Sequence, residues 1–341
     1  MAENPSDSLT NPSKQWWRGL ILVLLATLCL SLQNIFVKIA QSPKLIPLFG
    51  GIFNLGGYVT PDPNNPFQVS FLVLLVRITF VVPILWGILP IIKPGAIQEA
   101  KQLITSNDNL LKLRVAAAGF FLFLSQSCIY LAISKVGPAT AVTIFFIYPT
   151  VTTLFAWKLF GEKPSGKQWL AIVLIYIGCT WLTFSAPNAA LKTDFVGILA
   201  AVISGVVFAM EGILAQSCFG KVNPAVFTGM VFTVEWLVLL VVTLPLIKIS
   251  LNSGLILMGF LLCCATLSGY LFNNFGIKNI GAAATAIIGA SGPAVTAILG
   301  LLILSDKLLL PQWEAIVLVT VGVVLMNLAK AQAKAAAAAK E

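Results

Sequence analysis

Four ionisable side chains sit inside runs of otherwise apolar residues: Lys38 in "LQNIFVKIA", Arg77 in "LLVRITF", Glu211 in "FAMEGIL" and Glu235 in "FTVEWLV". A charge held in hydrocarbon costs several kcal/mol unless it is paired or faces water, so each is a candidate for binding a substrate or an ion. Glu211, followed by a glycine, is the leading one: a carboxylate at that depth can hold a substrate amine or exchange a proton. Its structural alternative is an ion pair with Lys38 or Arg77. Arg77 can capture an anionic group or serve as a pairing partner, and Glu235, beside Trp236, has the same two readings. Lys38, near the end of its run, can snorkel to the interface. The amides Gln33, Asn34, Asn273 and Asn274, with Tyr148, add uncharged binding candidates, because amides in lipid need partners. The chain has no histidine, which removes the commonest metal ligand and the commonest neutral-pH base. Its six cysteines lie in apolar runs without C-x-x-C spacing, so no metal site, disulfide framework or cofactor is expected.

These residues need a scaffold that lives in lipid. Of the 341 residues 58% are hydrophobic and only 10% charged, and mean hydropathy is +0.96. A soluble domain carries about a quarter charged residues. Apolar runs of spanning length fall at 18–40, 69–92, 113–134, 138–159, 166–185, 194–218, 223–247, 254–277, 280–304 and 311–330, each near the length of about 20 residues that a bilayer requires. The expected fold is therefore an all-α integral membrane protein with ten transmembrane helices. Two links are long: the Gly/Pro-rich 41–68, and the charged 93–112, which has the makings of a short surface helix. The net charge of +9 is spread over short links without interleaved aromatics, so nucleic acid is not an expected partner.

The chain also repeats itself. Residues 131–182 align without a gap to 275–326: Gly137 meets Gly281, Pro149 meets Pro293, Glu162-Lys163 meets Asp306-Lys307, and Gln168-Trp169 meets Gln312-Trp313. "AIVL" at 171–174 then meets "AIVL" at 315–318, and Gly178 meets Gly322. A weaker match lays 19–41 over 197–217 and pairs Gln33 with Glu211. Each repeat is then five helices long, at 18–185 and 194–330, with tails at 1–17 and 331–341. Five is odd, so the second copy enters the membrane from the opposite side, the inverted-repeat plan of many secondary transporters. Pro149 and Pro293, expected near mid-helix, each remove a backbone hydrogen bond. With Gly137 and Gly281 they mark kinks at the repeat interface. Lys and Arg concentrate in the links on the N-terminal side, which places both termini in the cytoplasm; the expected location is the cell inner membrane.

The two five-helix halves, "LQNIFVKIA", "LLVRITF" and the twice-used "GPATAVTIFFIYP…GEK…QW" pattern resemble the drug/metabolite transporter superfamily in its EamA branch, over about 19–330. The link with "FGGIFNLGGYVTP" is similar to that of cyanobacterial members. The resemblance implies ten helices around a central cavity and alternating access for a small metabolite such as an amino acid or amine, with proton-coupled export as one form. The alternative is a receptor or assembly subunit that shares the fold without transporting, since fold does not fix function. An intramembrane enzyme would need a nucleophile with a base, or metal ligands, and the sequence offers no such set.

Overall fold

The computed structural model describes residues 12–60, 65, 67–160, 164–184, 194–218, 221–246, 251–289, 291–305 and 307–338. Helix α1 (Pro12–Ala40) leads into a hairpin of β1 (Leu45–Leu48) and β2 (Phe53–Gly56), paired antiparallel with Leu45 opposite Gly56. Then come α2 (Gln68–Ile92), α3 (Ala96–Thr105), α4 (Asn109–Val136), α5 (Pro138–Phe145), α6 (Tyr148–Phe160) and α7 (Gly166–Phe184). The second half holds α8 (Phe195–Cys218), α9 (Pro224–Leu246), α10 (Ser253–Gly289), α11 (Gly292–Leu299) with a π-helical extension over Gly300–Leu304, and α12 (Leu310–Ala338). Among the described residues seven helices are long and apolar enough to cross a membrane, and three shorter apolar ones cover Gly166–Cys179, Gly292–Leu304 and Leu310–Met326.

The helices do not map one to one onto the ten expected spans. The fourth span is two helices, α5 and α6, and the eighth runs without a break into the ninth as α10. The difference between the copies has a local cause. Gly137 has φ +81, a conformation open to glycine, and Pro138 begins α5 without needing an N–H partner. At the matched position Gly281 is followed by Ala282, which keeps its N–H, and the helix continues. Gly281 is therefore not a kink. Pro149 and Pro293 are not mid-helix either: each is the second residue of the helix that follows a break, α6 and α11. The helices that precede them end at Phe145 and Gly289, which are matched repeat positions.

The repeat is visible in packing. A Cβ placed on Gly178 of α7 would lie 3.1 Å from the Ala315 carbonyl oxygen and 3.1 Å from Val319 N of α12. One placed on Gly322 would lie 3.1 Å from the Ala171 oxygen and 3.1 Å from Ile175 N. These are the same contacts with the copies exchanged, and the partner number falls as the first rises, so α7 and α12 cross antiparallel about a local two-fold. The matched Gln-Trp pairs begin these helices. The Gln168 side-chain oxygen accepts from Ser165 N–H at 2.6 Å and that of Gln312 from Leu309 N–H at 2.9 Å, the backward arm of a capping box in both copies. The matched Glu162-Lys163 and Asp306 lie outside the described residues.

Elsewhere α1 packs on α10 and α4 on α8. Ser125 and Ser204 each donate a hydroxyl to the other's carbonyl, at 3.0 and 2.8 Å, and tie α4 to α8. The link at 93–112 does contain a surface helix, α3, whose Glu99 accepts from Asn223 N–H at 2.6 Å at the start of α9. Asp108 caps α4 by accepting from Leu111 N–H at 3.0 Å and also takes Lys221 Nζ at 2.6 Å. The Lys221 hydrogen bond holds its carboxyl below the ordinary range, helped by the Leu111 amide.

The reciprocal crossing yields a stability prediction. Gly178→Val and Gly322→Val should each destabilise by about 1–3 kcal/mol, the usual cost of overpacking, and lower the melting temperature of the purified protein. Gly87→Ala is the control, since a Cβ there meets nothing within 4 Å.

Candidate substrate cavity

The two helix breaks matter because of what they leave behind. A residue with an N–H at 149 would bond the Phe145 carbonyl, and one at 293 the Gly289 carbonyl; proline removes both donors. Phe145 and Gly289 both line a cavity of about 350 Å³. Gly205 of α8 lets that helix close on the first break, for a Cβ there would lie 2.7 Å from the Phe145 oxygen. Ser31 of α1 reaches the second break, its hydroxyl donating to the Gly292 carbonyl at 3.4 Å. Irregular backbone at membrane depth is tolerated where protein buries it or a cavity meets it.

Helices from both halves build the wall: α1 and α4 to α6 from the first, α8, α10 and α11 from the second. One side is aromatic. Phe145, Tyr148 and Phe208 form a triangle with ring centroids 5.1–5.2 Å apart, and Phe146 stands against Tyr148 at 5.5 Å. Among the described residues the polar lining is uncharged and includes Gln33, Asn34, Gln126, Tyr130, Tyr270, Asn273 and Thr296. Gln33 Oε1 accepts from the Thr266 hydroxyl at 2.6 Å.

Of the candidates named from sequence, the structure brings Gln33, Asn34, Tyr148 and Asn273 together on this wall. The Asn274 side chain lies outside the described residues. None of the four charged candidates lines the cavity. Arg77 and Glu235 are fully buried and paired at 3.6 Å, one layer behind. The Arg77 guanidinium also donates to Gln126 Oε1 and lies over the Tyr130 ring at 5.3 Å. Arg77 thus pairs with Glu235 and not with Glu211. Lys38 donates to the Ser134 carbonyl at 3.4 Å and joins α1 to the end of α4. Glu211 lies on α8 without an ion pair or hydrogen bond among the described residues, within Coulombic range of Glu235 and Tyr270. Gln126 and Tyr130 are wall residues that sequence reading missed. Their signal was the polar run "SQS" inside apolar α4.

A bundle of apolar membrane helices in two repeats, with a cavity where two helices break, has the architecture of a membrane transporter. The chain belongs to the EamA-like transporter family, whose sequence profile matches residues 59–184 and again 195–328. It is 34% identical over 322 residues to an uncharacterized transporter of Synechocystis sp., covering 92% of this chain and 94% of that one. It is 24% identical over 318 residues to an uncharacterized transporter of Clostridium kluyveri, covering 90% and 92%. A solved crystal structure superposes with a TM-score of 0.55 at 16% identity, over 93% of this chain and 97% of its own, a likeness of fold.

The buried pair makes a prediction. Arg77→Met leaves Glu235 uncompensated and should cost about 3–5 kcal/mol, whereas Arg77→Met with Glu235→Leu should recover most of that loss. Thermal unfolding of the single and double variants measures both.

Proposed function

We propose that this chain moves a small metabolite across the cell inner membrane by alternating access through the cavity, with ten crossings in two inverted repeats and both termini cytoplasmic. The observation that carries the reading is the position of the cavity. It lies between the copies, at two helix breaks that occupy the same repeat position. The antiparallel, reciprocal crossing of α7 and α12 supports the inverted arrangement, because a two-fold relating antiparallel helices lies perpendicular to them, in the membrane plane. The excess of Lys and Arg in the N-terminal-side links supports the orientation. The lining suits a small solute with an apolar or aromatic part and a few hydrogen-bonding groups: rings on one side, amides and hydroxyls on the other.

The direct test is counterflow in proteoliposomes, with a labelled panel of amino acids, amines and organic acids. Gly289→Phe should abolish the flux and leave the fold intact, because Gly289 lines the cavity and a Cβ there meets no protein atom within 4 Å. Counterflow unchanged in this variant would remove the cavity from the route. Silence of the wild type across the panel would favour the non-transporting receptor reading.

Proton coupling, if assigned to one carboxylate, goes to Glu211, which has no ion-pair partner among the described residues. Glu211→Gln should then keep counterflow, which needs no net proton movement, and lose accumulation driven by a pH gradient. Accumulation equal to wild type would exclude Glu211 from coupling.

A further inference from the structure

The pair behind the wall decides what the wall can recognise. Gln126 is 8% exposed and lines the cavity, and its amide oxygen is taken by Arg77. Arginine is only ever a donor, so the oxygen of Gln126 must face it. The group left for a ligand is the NH₂. Tyr130, 1% exposed and also on the wall, has its ring under the same guanidinium, and its hydroxyl makes no hydrogen bond among the described residues. The guanidinium can accept nothing from that hydroxyl, so its proton is left for another acceptor. Glu235 balances the arginine charge at 3.6 Å. This corner of the cavity therefore offers two donors, polarised by a cation behind them, with no formal charge of its own.

We propose that Gln126 and Tyr130 form a subsite for an acceptor oxygen, the carboxylate or carboxamide end of the transported molecule, and that Arg77 is the positioning residue that fixes Gln126 as a donor. An ammonium group is disfavoured at this corner, since it would meet N–H and O–H groups with a guanidinium behind them. The triangle of Phe145, Tyr148 and Phe208 receives the apolar remainder. The proposal rests on the transport reading of the cavity and narrows its substrate class.

The experiment uses the full chain in lipid nanodiscs and three probes that share one phenylpropyl frame: 3-phenylpropanoate, 3-phenylpropanamide and 3-phenylpropylamine. A ligand that binds the folded state alone raises the melting temperature by mass action. At millimolar concentration the acid and the amide should raise it and the amine should not. Gln126→Glu keeps an oxygen for Arg77 but exchanges the NH₂ donors for an acceptor. It should abolish stabilisation by the acid and amide, and its unliganded melting temperature reports folding. Tyr130→Phe deletes one hydroxyl, should weaken acid binding several-fold, and decides the matter alone should Gln126→Glu not fold.

Stabilisation by the amine equal to that by the acid would overturn the proposal. So would acid binding by Gln126→Glu or Tyr130→Phe equal to wild type, or no response of the wild type to the acid or the amide. Counterflow with the broader panel is read separately, so transport without this preference overturns the subsite and leaves the transport reading standing.

Discussion

The constraint on which this structure depends is that backbone polar groups in hydrocarbon must be satisfied within the protein, each failure costing several kcal/mol. Continuous helices meet it without help, and most of the chain is built of them. The helix stops after Phe145 and after Gly289 and restarts at Tyr148 and Gly292, and protein closes on each break. Gly205 brings α8 against the Phe145 carbonyl, and the Ser31 hydroxyl reaches the carbonyl of Gly292. Irregular backbone at that depth is stable where protein buries it or a cavity meets it, and the cavity lies at these breaks.

The two copies share their construction where their sequences coincide and diverge where they do not. The matched Gln residues cap α7 and α12 in the same way, and the matched glycines let those helices cross with the same contacts exchanged. The first copy has Pro138 after Gly137 and breaks there. The second has Ala282 after Gly281 and stays helical to Gly289. A single N–H separates the two outcomes.

Charge is handled by a related economy. Arg77 and Glu235 are buried together, and their proximity offsets the desolvation that either would suffer alone. The pair joins α2 to α9 and, through Gln126, touches α4. Neutral amides, hydroxyls and rings form the cavity wall in consequence. An uncharged wall is compatible with an apolar ligand body, while the cation behind Gln126 still shapes what that wall presents.

How much of this was legible in the sequence can be judged residue by residue. Composition and the lengths of the apolar runs determined a helical membrane protein, because lipid leaves few other folds open to so apolar a chain. The ungapped match of Gly, Pro and Gln-Trp determined the repeat and pointed to irregular backbone near Pro149 and Pro293, though as kinks within helices and not as the breaks that precede α6 and α11. Gln33, Asn34, Tyr148 and Asn273 were legible as polar residues in apolar runs, since an unpartnered polar group in lipid is conspicuous at any position. What sequence could not decide is which polar groups find one another. Glu235 takes Arg77, and Glu211 takes no ion-pair partner among the described residues, because α2 and α9 meet in the bundle, and that contact joins residues far apart in the chain. Whether Gln126 stands on a wall or within a core depends likewise on helices α1, α8 and α10 closing around it. Local sequence sets each helix and each break; only tertiary packing sets which faces meet, and therefore which residues border the cavity.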